Sequence, residues 1–173
     1  MVMKAQPIFD AYQHARTLAP ALKGSRVVFL TPAGKPLTQE MAAKFAGDDA
    51  LVLLCGHYEG VDERVVEEIV TDEVSIGDYI LTGGELAALV LMDCIARLRP
   101  NVLGHNASAI EESFSQNQGG TSLLEYPQYT RPATILSRDV PEILLSGNHQ
   151  AIATWRQQQA FLRTEKRRPD LLK

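Results

Sequence analysis

A parallel α/β sheet is the architecture that this 173-residue chain predicts, and two observations predict it. Short apolar runs, Arg26-Val27-Val28-Phe29-Leu30 and Leu51-Val52-Leu53-Leu54-Cys55, alternate with segments of helical periodicity. After Arg26, both runs are apolar at every pleat, which is the pattern of strands covered by helices on both faces. Hydrophobic residues make up 45% of the chain, enough for one globular core with an appendage. No run approaches the ~18 apolar residues of a membrane span, and Met1-Val2-Met3-Lys4 lacks the apolar core of a secretion signal. Cys55 and Cys94 sit among apolar residues at no metal-ligand spacing, which predicts reduced thiols in a cytoplasmic protein. The four histidines are scattered, so a metal cage of His and Cys is not expected.

In chain order, residues 7–22 begin at Pro7 and space Ile8, Tyr12, Ala15 and Leu18 as a helix, closed at Lys23-Gly24-Ser25 with Gly24 as its C-cap. The strand 26–30 runs into Thr31-Pro32-Ala33-Gly34-Lys35-Pro36. Thr38 is a fitting N-cap for a helix over 38–46. The strand 51–55 ends in Gly56-His57-Tyr58-Glu59-Gly60, and a short helix over 61–69 follows, with Asp62 and Glu63 as helix-start carboxylates. Residues 74–86 (VSIGDYILTGGEL) place two apolar bursts around Gly77-Asp78, then a Gly-Gly pair, then a helix over 86–98 that Pro100 stops. Residues 101–122 are polar, and 123–132 are extended because Pro127 and Pro132 forbid a helix. A helix over 150–163 carries Trp155 and Phe161, and Arg167-Arg168-Pro169-Asp170 ends that pattern. The division expected is an α/β domain over 1–104, a flexible linker over 105–128 and a small helical domain over 129–173.

In a parallel sheet the functional loops gather at the strands' carboxyl ends. Three loops converge on that logic: Leu30-Thr31-Pro32, the 55–60 loop and the 74–84 stretch. None is a GxGxxG fingerprint or a GxxxxGK[ST] phosphate loop, and all are poor in Lys and Arg, which favours a nucleoside-like ligand of little negative charge. Gly77, Gly83 and Gly84 suit a backbone that bends or approaches a ligand closely, and Tyr79 offers an aromatic face. The same stretch read alone is equally a turn into a buried helix. The 86–98 helix is apolar nearly all round, which predicts a homodimer seam. Arg97 near its end is either a capping cation or a clamp at the pocket's edge.

The net charge of −4 conceals an asymmetry. Residues 1–137 hold ten Lys and Arg against seventeen Asp and Glu, whereas residues 138–173 hold seven against four. Arg163, Lys166, Arg167 and Arg168 cluster there, either as a phosphate-neutralising patch or as a solvated helix end.

The run Cys55-Gly56-His57-Tyr58-Glu59-Gly60-Val61-Asp62-Glu63-Arg64, followed in order by SIGDYILTGGEL, NVLGH, YPQYTRP, LLSGNH and RRPDLL, resembles the bacterial tRNA (guanine-N1)-methyltransferases of the SPOUT class. The resemblance runs almost end to end. It implies a trefoil knot that binds S-adenosylmethionine, an obligate homodimer, a helical C-terminal domain that grips tRNA, and methylation of N1 of the guanosine immediately 3′ of the anticodon. Position by position, it implies that Leu30, Thr31, Pro32, Gly56, Ile76, Gly77, Asp78, Tyr79, Ile80 and Leu81 line the cofactor, while Gly83 and Gly84 let the chain pass close. Tyr58 and Glu59 would lie beside the guanine, Ser108 would orient it, and Arg167 and Arg168 would hold tRNA. Arg97 would balance charge developing on the base, and Glu112 would take the N1 proton. Glu112 stands where the family carries an Asp. The family's transfer is assisted by magnesium, for which the sequence offers no assignable site. By the same resemblance the chain lacks the family's leading strand, helix and Gly-rich stretch, and its extreme C-terminus. A fragment that binds cofactor or tRNA without turnover is therefore the alternative expectation.

Overall fold

The computed structural model describes residues 1–102, 112–114 and 122–172. The chain divides into two compact units, Met1–Gly104 and His105–Lys173. The first is a mixed α/β unit built on a wholly parallel three-stranded sheet, as the apolar runs predict. Its elements are α1 (Ala5–Leu18), β1 (Arg26–Pro36), α2 (Gln39–Ala46), β2 (Leu51–Cys55), α3 (Glu63–Ile69), β3 (Asp72–Ser75) and α4 (Glu85–Leu98).

The strand order is β2-β1-β3, with β1 in the centre. Val27, Val28, Phe29 and Leu30 are accordingly all buried, whereas every residue of the edge strand β2 is half-buried. The core joins Val28, Leu30 and Val74 of the sheet to Phe45 of α2 and to Ala87, Ala88 and Leu91 of α4. Two capping expectations hold in atomic detail. Thr38 accepts a hydrogen bond from the Met41 N–H, and Asp62 accepts one from the Arg64 N–H. The Arg64 guanidinium also binds Asp62 and holds its carboxyl down at about 2.

The helix expected over 7–22 ends sooner. It closes at Leu18, and Pro20–Leu22 form a separate 3₁₀ turn before Gly24, whose φ is +82°. β3 has no counterpart in the apolar reading, since Asp72 and Glu73 mask it. As an edge strand it keeps its acidic side chains at the surface, where Asp72 accepts from Arg26 at 3.3 Å.

β1 also runs six residues beyond its apolar run. Leu30 and Lys35 both register against Val74, so residues 31–34 bulge out of the ladder before Lys35 and Pro36 pair again with β3. Gly34 makes this possible. A Cβ there would lie 2.5 Å from the Glu73 carbonyl carbon and 2.7 Å from that of Val74, against backbone that cannot yield.

In the second unit, a two-residue-per-strand hairpin (β4, Thr134–Ile135; β5, Arg138–Asp139) precedes α5 (Glu142–Leu145) and α6 (His149–Arg167). α6 starts one residue before the expected helix and runs four residues past it. Its Thr164 is buried; the hydroxyl donates to the Ala160 carbonyl at 2.7 Å and accepts from the Leu124 N–H at 2.8 Å, tying the extended 122–132 segment to the helix. That segment also holds the 112–114 stretch. Phe114 N–H donates to the Leu123 carbonyl at 2.8 Å, and Glu125 N–H donates to the Ser113 hydroxyl at 2.9 Å. Of the linker expected over 105–128, residues 105–111 and 115–121 lie outside the described residues.

Candidate active site

The three loops singled out by their place at the strand ends do meet. They enclose a cleft of about 410 Å³ at the carboxyl edge of the sheet, within the size range of small-molecule sites. Leu30, Thr31 and Pro32 enter it from the end of β1 and its bulge. Gly56, Tyr58 and Glu59 enter from the loop after β2. Ile76, Gly77, Tyr79, Ile80, Leu81, Gly83 and Gly84 enter from the loop after β3. Asp78 is exposed and is not among the lining residues.

The 75–79 loop is shaped by its own polar groups. The buried Ser75 hydroxyl accepts from the Gly77 N–H and donates to the Gly77 carbonyl, each at 3.2 Å. Gly77 sits at φ +144°, a conformation open only to glycine. Tyr79 folds back across it, donating its hydroxyl to the Ile76 carbonyl at 3.1 Å and its N–H to the Gly77 carbonyl at 3.0 Å. These bonds fix the backbone of 76–79 from within the loop.

At the other end of the loop, Gly84 starts α4 directly against β2. Its N–H donates to the Gly56 carbonyl at 2.9 Å, and a Cβ there would lie 2.8 Å from the Cys55 Cα. This close approach places the open N-terminus of α4 at the cleft's base. Burial, and after it the Glu85 carboxylate, push the Cys55 thiol up from its ordinary value, as suits an inert, reduced cysteine.

Among the described residues the lining contains no Lys or Arg to clamp a phosphate. Its walls combine backbone and apolar side chains with a few polar ones, Thr31, His57, Ser75 and Thr82, and the Glu59 carboxylate. Tyr58 and Ile80 are 67% and 80% exposed. Uncovered apolar side chains of that size around a concavity mark a surface that takes a ligand.

Sequence reasoning passed over His57 and Thr82, which line the same cleft. His57 was within reach, as the one imidazole inside a loop already singled out. Its Nε2 lies 2.5 Å from Glu85 Oε1, and an antiparallel bridge joins His57 to Gly83. The Glu85 carboxyl is held below its ordinary value, first by its own backbone N–H at the start of α4 and then by His57.

A family model for tRNA (Guanine-1)-methyltransferase TrmD matches residues 1–173, the whole chain. The chain belongs to this methyltransferase family. It is 56% identical over 173 residues to the tRNA (guanine-N(1)-)-methyltransferase of Listeria monocytogenes, spanning 68% of that protein. It is 55% identical over 172 residues to the enzyme so named from Geobacillus kaustophilus, spanning 67% of it. The corresponding figures for the one from Ruminiclostridium cellulolyticum are 52% over 172 residues and 70%. The family resemblance read from the motifs is borne out.

Of the other residues that this resemblance singled out, Arg97 is not among the lining residues. Arg97 is half-buried in the last turn of α4. Glu112 belongs to the second unit, beside the anchored Ser113 and Phe114. Arg167 ends α6, and Arg168 is engaged with Asp170 through Nε at 2.9 Å and Nη2 at 2.6 Å. Ser108 lies outside the described residues. Among the described residues no group of three or more His, Cys, Asp or Glu side chains could hold a metal ion, and no helix is long and apolar enough to cross a membrane.

Proposed function

We propose that this chain transfers the methyl group of S-adenosylmethionine to N1 of a guanosine in tRNA, the one immediately 3′ of the anticodon. The family match along all 173 residues carries the reading. The cleft agrees with it chemically. It is sized for a nucleoside, lined among the described residues by no Lys or Arg, and flanked by the Glu59 carboxylate, which suits a ligand bearing a cationic sulfur. When bound, S-adenosylmethionine supplies a methyl group made electrophilic by that sulfur.

Leu30, Thr31, Pro32, Gly56 and the 76–81 backbone hold the cofactor, and Gly83 and Gly84 admit it at close range. Tyr58 and Glu59 flank the guanine, and Ser108 orients it. Glu112 accepts the N1 proton, so that the nitrogen's lone pair becomes available, and Arg97 balances the negative charge that proton loss leaves on the base. Positioning and electrostatics supply most of the rate in such a scheme. The α/β unit carries the trefoil knot of the SPOUT class, and the protein acts in the cytoplasm.

The decisive experiment incubates the purified protein with S-adenosylmethionine and a transcribed tRNA carrying guanosine 3′ of the anticodon, with an adenosine-substituted tRNA as control. Nucleoside mass spectrometry should find 1-methylguanosine from the first only. Cofactor binding without any product would instead leave a binding fragment of the family.

Two further parts of this reading have their own tests. α4 buries Ala87, Ala88 and Leu91 inward but exposes Leu86, Leu89, Val90 and Met92 along its other face. A second copy of the chain covers that face. Leu89→Glu should convert the homodimer to monomer or aggregate in light scattering, because it would bury an unpaired carboxylate. A well-folded dimer from this variant places the seam elsewhere.

The second unit grips tRNA through the basic end of α6. Arg167→Ala with Arg168→Ala should weaken tRNA binding and lower the salt slope by roughly one for each phosphate no longer neutralised, with S-adenosylmethionine affinity unchanged. An unchanged slope assigns Arg168 to its Asp170 pairing alone.

A further inference from the structure

Two loops form the facing walls of the cleft, 56–60 after β2 and 76–84 after β3. They meet at their roots through backbone, by the Gly84 N–H to Gly56 carbonyl bond and the His57–Gly83 bridge. A side-chain hydrogen bond reinforces this joint. His57 Nε2 reaches Glu85 Oε1 at 2.5 Å, from the first wall to the first turn of α4. Both side chains are about half exposed, so solvent competes with the bond, yet its setting is narrow. A Cβ on Gly83 would lie 2.5 Å from Glu85 Oε2 and 2.7 Å from His57 Cε1, so only glycine leaves room for the pair.

The backbone of His57 is restrained from the opposite side. Its N–H donates to the Met3 sulfur at 3.2 Å, and its carbonyl accepts from the Gly60 N–H at 3.3 Å. The next residue, Tyr58, is held at φ +62°, in the left-handed region that a bulky side chain enters only when its surroundings impose it. Tyr58 and Glu59 thus hang into the cleft from a short loop whose orientation depends on how His57 is tethered.

We propose that His57, hydrogen-bonded to Glu85, is a positioning residue that clasps the two walls, holding Gly56 and the 76–84 backbone in place around the cofactor and setting where Tyr58 and Glu59 stand beside it. Glu85 is held ionised at the start of α4 and can only accept, so His57 carries its proton on Nε2 and donates it. This inference rests on the reading of the cleft as an S-adenosylmethionine site.

The test uses the whole chain and S-adenosylmethionine itself. His57→Met keeps bulk but removes the donor, and Glu85→Gln removes the ionised acceptor. Each should weaken cofactor binding in calorimetry by about tenfold, the low end for a hydrogen bond to a charged group, given the exposure. The double variant should be no worse than the worse single one, because both remove the same hydrogen bond. His57→Gln, whose amide N–H falls near the place of Nε2, should restore most of the affinity. Nitrogen-15 spectra of the imidazole without ligand should show Nε2 protonated and strongly hydrogen-bonded in the parent, and no such bond in Glu85→Gln.

Binding by the parent with unmoved affinity in the variants overturns the clasp, as do additive losses or a His57→Gln no better than His57→Met. A loss of thermal stability alone, at unchanged affinity, also overturns it. A parent that shows the imidazole signature but binds no S-adenosylmethionine overturns the reading of the site instead.

Discussion

Gly77→Val will abolish S-adenosylmethionine binding while leaving the protein folded. Gly77 holds φ at +144°, where a β-branched residue is a steric outlier. Strain of this kind costs ~1–3 kcal/mol, up to roughly a hundredfold if charged wholly to the bound conformation. Space compounds it: a Cβ at this position would lie 2.5 Å from Tyr79 Cε1, so the ring that folds over the loop must leave. Its hydroxyl then loses the Ile76 carbonyl, and the 76–81 backbone loses the shape that lines the cleft. Gly24→Val is the matched control. Gly24 also has positive φ, at +82°, but nothing within 4 Å of an added Cβ and no place in the cleft. It should lower the melting temperature and leave cofactor affinity alone. Calorimetry that finds parental affinity in Gly77→Val removes the 76–81 backbone from the site.

What could be read from the sequence was what depends on neighbours along the chain. The apolar runs at 26–30 and 51–55 announce strands because both faces of β1 and β2 are apolar, and the Thr38 and Asp62 caps act over two or three residues. The three loops could be brought together by one topological rule, that parallel strands deliver their loops to the same edge. What escaped depends on partners remote in sequence. β3 opens with Asp72 and Glu73, which no apolar pattern finds, and it is a strand because β1 offers it a ladder. Residues 31–36, with two prolines and a glycine, look like a loop. Gly34 is small because the Val74 backbone passes across it, 40 residues further on.

The His57–Glu85 hydrogen bond spans 28 residues and exists only once β2 and the start of α4 lie side by side. The hairpin over 134–139 was hidden for a different reason. Its turn places Leu136 and Ser137 at φ +49° and +57°, positions where Asn and Gly are the usual signal. The helix expected over 150–163 runs on to Arg167. Thr164, buried and bonded on both sides, carries the helix past 163.

Glu112→Gln will lower turnover by about 10²–10⁴-fold, the usual worth of a general base, while cofactor and tRNA still bind. The amide keeps the size and polarity of the side chain and removes its capacity to take the guanine N1 proton. Glu112→Asp supplies the residue that the family resemblance implies at this position and should retain activity, with one methylene less of reach. Ser113 and Phe114 are fastened to the 123–125 backbone, so the chain is held immediately after Glu112. Glu111, outside the described residues, is the rival carboxylate, and Glu111→Gln is the control that separates them. Single-turnover methylation, with binding of both ligands measured alongside, reads the result. A Glu111→Gln variant that loses turnover while Glu112→Gln keeps it moves the base by one residue along the chain. If both variants keep parental rates, the proton leaves by another route, and Arg97 becomes the residue whose removal should cost most, since it alone would then stabilise the deprotonated base.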